Sequence, residues 1–215
     1  MRHSLGSRIK GLYAITPDEP DTAELLRKVR LALLGGASVL QYRDKSSNET
    51  LKLNRAQALR ELANEFGVAF IVNDDVRLAL QADADGVHLG AQDDDIGMAR
   101  SVLGRNKIIG ISCYNLLSRA RHAAHAGADY IAFGAFFSSV IKPNAIRADI
   151  NLLQEARAEF DLPLVAIGGI TLQNAAPLVQ AGANGLAVIS SLFNATDITV
   201  EAQNFSKLFI QGNAP

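Results

Sequence analysis

The segment QYRDK, residues 41–45, places an amide, two cations and a carboxylate directly after an apolar run. Gln41, Arg43 and Lys45 are spaced at i, i+2 and i+4, so their side chains share one face if the extended conformation of the preceding strand continues. Cations together with an amide donor suit an oxyanion of high charge, because hydrogen bonds that are assisted by charge are stronger than neutral ones. The segment therefore predicts an anion-binding site at the end of a core strand.

Carboxylates that follow two later apolar runs indicate a cation site. Asp74 comes directly after AFIVN, and Asp93 comes shortly after GVHLG. Mg²⁺ is typically held by one or two protein carboxylates together with phosphate oxygens and waters. These two residues therefore predict a diphosphate site that contains Mg²⁺. Asp75 has a different interpretation: a helix pattern begins at Val76, and an Asp directly before it caps the helix.

Short apolar runs alternate with amphipathic segments along the chain, which is typical of a parallel sheet covered by helices. Residues 23–34 and 51–66 show the clearest helical spacing of apolar side chains. Between the helical patterns lie eight predicted strands: Gly11–Ile15, Val39–Tyr42, Ala69–Val72, Gly86–Leu89, Ile108–Ile111, Tyr130–Phe133, Leu164–Ile167 and Gly185–Val188.

A weak internal repeat explains the number of strands. The segments GGASVLQ, ADADGVHLG, AGADYIAFG and AGANGLAVIS precede or contain every second strand, and they align four alanines: Ala37, Ala84, Ala128 and Ala183. The helices before three of these strands end in a glycine that can adopt the left-handed conformation: Gly36, Gly127 and Gly182. Asp83 stands at the equivalent position of the remaining helix. The repeat unit therefore consists of two βα units.

Eight strands without a linker predict one (β/α)8 TIM barrel over residues 1–215, with residues 1–10 and 211–215 as flexible ends. An open doubly wound sheet is the alternative, but no G-x-G-x-x-G motif follows the first strand. A barrel brings the ends of all its strands to one mouth. Ser112 ends the fifth predicted strand, and the long loop after the sixth strand carries Lys142. Gly168 and Ser190 follow the seventh and eighth strands, and barrels commonly bind a phosphate monoester at this place.

Three histidines have structural interpretations. His88 lies at the end of the fourth strand, so we interpret it as a structural residue or as a donor that supports the site. His122 and His125 are at i and i+3 on a helix away from the strand ends, which favours a surface helix face over a metal pair.

The composition limits the partners of the chain. A formal net charge of −1 argues against a broad electrostatic surface for nucleic acid or anionic membranes. Cys113 is the only cysteine, which fits a reducing compartment. No apolar stretch approaches the roughly 20 residues that span a bilayer, and MRHSLGSRIK lacks the apolar core of a secretory signal. We therefore expect a cytoplasmic protein with small-molecule substrates, and leave a homo-oligomer open.

Taken together, these motifs resemble those of the thiamine-phosphate synthase family. The resemblance extends from GLYAIT to GLAVIS, and its specific parts are QYRDK, IVNDD, GVHLG with a following aspartate, GISCYN, a loop lysine before a proline, and AIGGIT. It implies that the chain joins 4-amino-2-methyl-5-hydroxymethylpyrimidine diphosphate to 4-methyl-5-(2-hydroxyethyl)thiazole phosphate or its carboxylated form. The resemblance also implies that diphosphate is released and that thiamine phosphate is formed by a dissociative displacement that Mg²⁺ assists.

The resemblance also implies roles for individual residues. The catalytic cations would be Arg43, Lys45 and Lys142, and one Mg²⁺ per active site would be bound by Asp74 and Asp93. The residues that would hold the pyrimidine diphosphate are Gln41, Tyr42, Arg43, Asp44, Lys45, Asn73, Ser112 and Lys142. The thiazole phosphate would be held by Gly168, Ile189 and Ser190, with contributions from Ser139, Val140 and Ile141.

One segment departs from the family pattern. The family usually has P-T-x-T-K before the loop lysine, whereas this chain has FSSVIK, so Ser138 replaces the proline and two donors are missing at Val140 and Ile141. Each hydrogen bond contributes about 0.5–1.5 kcal/mol, so we expect the loss to weaken binding roughly tenfold without abolishing catalysis. Because of the altered loop, one alternative to an active synthase is a catalytically impaired barrel that binds thiamine precursors. A thiazole tautomerase of the same fold is the other, although it has no use for the diphosphate and metal residues.

Overall fold

The protein is described by a computed structural model that covers residues 3–45, 48–90, 96–138 and 146–211. Eight parallel strands form a closed barrel in which each strand pairs with the next and the last pairs with the first. The strands are β1 Gly11–Ile15, β2 Val39–Tyr42, β3 Ala69–Asn73, β4 Gly86–Leu89, β5 Ile108–Tyr114, β6 Tyr130–Gly134, β7 Leu164–Ile167 and β8 Gly185–Val188. The predicted (β/α)8 barrel is confirmed, and β3, β5 and β6 extend beyond their predicted ends.

Helices alternate with the strands and cover the barrel. Their bounds are α1 His3–Gly6, α2 Thr22–Leu34, α3 Glu49–Phe66, α4 Val76–Gln81, α5 Ile96–Leu103, α6 Leu117–Ala126, α7 Asn151–Glu159, α8 Leu172–Gln180, α9 Ser190–Phe193 and α10 Ile198–Gln211. Helix α1 lies within the predicted flexible end, and Ile9 just after it is buried. Flexibility of the two ends stays a prediction. No helix in the described ranges is long and apolar enough to cross a membrane.

Strand alternation divides the core into two layers. The larger layer lies between the strands and the helices and includes Leu40, Tyr42 and Phe70. The smaller layer fills the barrel interior with side chains from alternate strand positions, among them Tyr13, Val39 and Tyr130. The interior is therefore a packed core below the mouth, which leaves the strand ends as the place for a site.

The helices before every second strand end as the repeat predicts. Gly36, Gly127 and Gly182 have φ values of 97°, 93° and 107°, and Asp83 also adopts a left-handed φ of 47°. At this last position the amide of Ala84 donates to the carbonyl of Ala79 over 2.9 Å, which closes the helix in the same manner as in the other repeats.

The residue after each of these alanines caps the opposite end of the barrel. In three repeats its side-chain oxygen accepts a hydrogen bond from a backbone amide at the start of an odd-numbered strand. The pairs are Asp85 with the amide of Phe70, Asp129 with that of Ile109, and Asn184 with that of Leu164. An arginine from the preceding odd-numbered helix also donates to each of these side chains: Arg60, Arg100 and Arg157. This ring of contacts stabilises the end of the barrel away from the mouth.

Candidate active site

A row of hydrogen bonds crosses the barrel interior directly below the mouth. Gln41 Nε2 donates to the Tyr13 hydroxyl over 2.8 Å, and this hydroxyl lies 2.8 Å from that of Tyr130. The Tyr130 hydroxyl lies 2.8 Å from His88 Nδ1, and His88 Nε2 lies 2.9 Å from the Ser112 Oγ. This barrel network joins five strands, and it has two predicted substrate residues, Gln41 and Ser112, at its ends.

Burial keeps the phenols of the barrel network protonated. It raises the pKa of both Tyr13 and Tyr130 well above the ordinary value, because the interior disfavours a phenolate. Donation in one direction, from Gln41 through the two hydroxyls to His88 Nδ1 and from His88 Nε2 to Ser112, then satisfies each member. With this direction the proton of Ser112 is available to an acceptor in the mouth. The interpretation of His88 as a supporting donor is consistent with these contacts.

We expect Tyr13→Phe to destabilise the fold, because the variant leaves the Gln41 amide and the Tyr130 hydroxyl without their buried partner. An unsatisfied buried polar group costs about 1–3 kcal/mol, which in a domain of this size lowers Tm by roughly 2–12 °C. Thermal unfolding of the variant beside Tyr114→Phe is the measurement, since the ring of Tyr114 is partly exposed and lies beside Arg119. Equal Tm values for the two variants would contradict the importance of the barrel network.

The end of β2 separates the side chains of QYRDK between two faces. Gln41 faces the interior and is buried, and Arg43 lies 3.4 Å from Asp18 in an ion pair at the mouth. Lys45 is exposed. The substrate contacts predicted for Tyr42 and Asp44 stay predictions. The structure places the side chains of these two residues on the other face of β2, since Tyr42 packs in the outer layer and its hydroxyl donates to Asp44. Strand alternation is the physical reason.

Asp74 lies at the mouth directly after β3. Its amide donates to the carbonyl of His88 over 2.8 Å, and the Asn73 side chain donates to its carboxylate over 2.6 Å. Asp74 has a positive φ of 62°, a conformation that is uncommon outside glycine and often found at functional sites. The exposed carboxylate suits Mg²⁺, which needs few protein ligands. A metal that is bound by protein side chains alone needs a larger cluster, and in the described ranges no three His, Cys, Asp or Glu side chains form one.

Two structural interpretations of polar residues are confirmed. Asp75 is the N-cap of α4, and its side chain accepts from the amide of Leu78 over 2.8 Å. His122 and His125 are both exposed on α6, on the surface of the helix.

The glycine pair after β7 is required by close packing as well as by conformation. Gly168 and Gly169 have φ values of 102° and 62°. A Cβ atom at Gly168 would overlap Ala135, and one at Gly169 would overlap the backbone of Phe137 and Ser138. The pair therefore fixes the loop after β6 against the end of β7, and phosphate binding by Gly168 stays a prediction.

Residues after β8 border a groove at the edge of the mouth. Ile189 packs against the interior layer, and Ser190 begins the short helix α9. Ser190 also lines a groove of about 480 Å³ that contains Asp197 and Glu201. Because these carboxylates repel a phosphate, a phosphate held by Ser190 is expected on the side of the residue that faces the barrel axis.

Five predicted site residues lie outside the described residues. Asp93 falls within 91–95, and Ser139, Val140, Ile141 and Lys142 fall within 139–145. Their roles stay predictions from the sequence.

The structure adds residues that the sequence did not mark as part of the site. Tyr13 and Tyr130 take part in the barrel network, and only the closed barrel brings them together. Arg55 on α3 is buried and donates to Asp44. A signal for Arg55 was available, because it lies four and seven positions before Leu59 and Leu62 on the apolar stripe of the helix.

Comparison with known proteins identifies relatives that match nearly the whole chain. A family model described as thiamine monophosphate synthase matches residues 12–192. The chain is 56% identical to the thiamine-phosphate synthase of Methylobacillus flagellatus over 97% of this chain and 99% of that protein. It is 50% identical to that of Aromatoleum aromaticum over 94% and 98%. A solved structure of thiamine phosphate pyrophosphorylase from Pyrococcus furiosus superposes with a TM-score of 0.87 at 33% identity, covering 98% of this chain and all of that one.

A closed (β/α)8 barrel with cations, a carboxylate and a polar network at its mouth defines a barrel enzyme. Sequence similarity over nearly the whole chain then identifies the family. The chain belongs to the thiamine monophosphate synthase family, and it is a transferase.

Proposed function

We propose that the chain is a thiamine-phosphate synthase that joins the aminopyrimidine diphosphate to the thiazole phosphate. The observation that carries the proposal is the convergence of Arg43, Lys45, Asp74 and Ser112 at one end of a closed parallel barrel. These residues come from three strands, so the parallel arrangement is what assembles a cationic site beside a carboxylate. Family membership supports the same reaction.

The reaction is a displacement at the methylene carbon of the pyrimidine. The bond from this carbon to the diphosphate oxygen breaks, and both electrons leave with the diphosphate. The thiazole nitrogen then supplies the electron pair of the new carbon–nitrogen bond. No protein nucleophile is needed, so the protein contributes by stabilising the departing negative charge and by aligning the two substrates. Arg43 and Lys45 suit the first task, as does Lys142.

The residues at the mouth fit a bound Mg²⁺. Asp74 would hold the ion together with Asp93, and the ion would neutralise part of the negative charge of the diphosphate. Ser112 would donate a hydrogen bond to the same anion, in the direction that the barrel network favours. Gln41 and Asn73 would complete the contacts to the pyrimidine diphosphate.

The thiazole phosphate would bind on the opposite side of the mouth. Gly168, Ile189 and Ser190 directly follow the last two strands, where barrels often bind a phosphate. Ser139, Val140 and Ile141 would contribute from the loop after β6. A cytoplasmic location also stays a prediction.

Turnover with both substrates tests the proposal. We expect release of diphosphate that requires the pyrimidine diphosphate, the thiazole phosphate and Mg²⁺ together, and that stops in excess chelator. Conversion of the thiazole phosphate alone without metal would instead identify a tautomerase. Tight binding of the substrates without any turnover would identify a precursor-binding barrel, and either result would overturn the proposal.

A further inference from the structure

The loop after β1 contacts the backbone of Arg43. Thr16 is fully buried, and its hydroxyl accepts a hydrogen bond from the amide of Arg43 over 2.9 Å and donates one to the carbonyl of Arg43 over 3.1 Å. The amide of Thr16 also donates to the carbonyl of Gln41. One hydroxyl therefore satisfies both polar groups of the Arg43 backbone, directly after the last residue of β2.

Arg55 fixes the next residue from the other side. Its guanidinium is buried between α3 and the end of β2, with a side chain only 6% exposed. It donates to the Asp44 carboxylate over 3.4 Å, to the Thr22 hydroxyl over 2.9 Å and to the carbonyl of Pro20. Asp44 also accepts from the Tyr42 hydroxyl. Arg55 thus links the QYRDK segment to the loop after β1 and to the start of α2.

The charges explain why a buried arginine is useful at this place. Asp44 lies between Arg43 and Lys45 in the chain, so an uncompensated Asp44 carboxylate would cancel one of the two cations for an approaching anion. Arg55 pairs with this carboxylate in a nearly dry environment. The charges of Arg43 and Lys45 are therefore left for a ligand at the mouth, where Arg43 also forms an ion pair with the exposed Asp18.

We propose that Thr16 and Arg55 are positioning residues that act through Arg43 and Asp44 to hold the cations in place for the diphosphate. They form a clamp, consisting of the Thr16 hydroxyl on the Arg43 backbone and the Arg55 guanidinium on the Asp44 carboxylate. The clamp rests on the proposed function, since it assigns the diphosphate as the ligand that the cations bind. Both residues are buried, so the proposal assigns them no direct contact with the substrate.

Four variants test the clamp. Thr16→Val keeps the shape of the side chain and removes both hydrogen bonds to Arg43, while Thr16→Ser keeps the hydroxyl. Arg55→Leu removes the partner of Asp44. Arg100→Lys is the matched control, because Arg100 also pairs with an aspartate of low exposure, Asp129, but at the opposite end of the barrel.

We expect Thr16→Val and Arg55→Leu to raise KM for the pyrimidine diphosphate about tenfold and to leave KM for the thiazole phosphate unchanged. Calorimetric titration with inorganic diphosphate should show the same loss of affinity without any turnover. Thr16→Ser should restore both values, and Arg100→Lys should lower Tm without changing either KM.

Two results would overturn the clamp: equal changes in both KM values, or normal diphosphate binding by Thr16→Val. If Arg55→Leu does not fold, the nearly isosteric Thr16→Val decides the question alone. If the unaltered protein binds inorganic diphosphate but shows no turnover, the proposed function fails. The clamp is then judged by diphosphate affinity alone, so the two failures can be told apart.

Discussion

Asp74→Asn is expected to lower kcat on the order of 10²–10³-fold, the effect of losing one contact that stabilises charge in the transition state. The carboxylate lies at the solvent-exposed mouth and would provide one of the few protein ligands of Mg²⁺. Asn is the appropriate replacement, since it tolerates the positive φ of this position and keeps an oxygen for the donor of Asn73. Steady-state kinetics over a range of Mg²⁺ concentrations is the measurement, and Tm should remain nearly unchanged.

The neighbouring Asp75→Asn is the matched control for this prediction. It removes an equal charge one residue away, but Asn caps a helix about as well as Asp, so α4 stays intact. We expect its kcat and its requirement for Mg²⁺ to resemble those of the unaltered protein. If Asp74→Asn is as active as Asp75→Asn, Asp74 is not a metal ligand. Full activity of the unaltered protein in excess chelator would refute the metal site itself.

The second large effect is expected at the other end of the barrel, where Asp129→Ala should destabilise the fold. The Asp129 side chain is 3% exposed, accepts from the amide of Ile109 over 2.8 Å and pairs with Arg100 over 2.6 Å. Its removal leaves a buried amide and a largely buried guanidinium without this acceptor. Breaking such a pair costs about 3–5 kcal/mol, so we expect Tm to fall by roughly 6–20 °C. Thermal unfolding measures the change.

Asp83, an exposed aspartate from the preceding repeat, provides the comparison for Asp129. Asp83 pairs with Lys107, but its side chain is 79% exposed, and an exposed ion pair adds little to stability. Asp83→Gly also replaces a residue with a left-handed φ by the one that adopts this conformation without strain. We expect its Tm to be unchanged or slightly raised. A loss as large as that of Asp129→Ala would show that burial does not decide the contribution of these pairs.

The two ends of the barrel therefore have different tasks. Contacts at the starts of the strands, such as that of Asp129, satisfy buried amides and stabilise the fold. Polar groups at the strand ends lie at a mouth that can accept a ligand. Asp74 at this end has a positive φ, which costs conformational free energy in a residue other than glycine and is typical of functional sites. We expect substitutions at the first end to change Tm and substitutions at the second to change kinetics.

Much of the fold was predictable from the sequence because its signals are local. Short apolar runs mark the strands, and five of the eight have the predicted bounds. Gly127 closes α6 because glycine adopts a positive φ without strain, and Asp75 caps α4 because its carboxylate reaches an amide three residues away. Each signal involves residues close in the chain, so it can be interpreted without the tertiary structure.

The sequence alone also determined which residue types follow each strand, and hence that Arg43, Asp74 and Ser112 meet at one mouth once the barrel closes. Only the tertiary structure decided how they are held. Tyr13 and Tyr130 are 117 positions apart and meet because eight strands close with one register. Arg55 reaches Asp44 because α3 packs on the outer face of β2, and strand alternation directs the side chains of Tyr42 and Asp44 to that face. Such contacts depend on register and helix packing, which no short segment specifies.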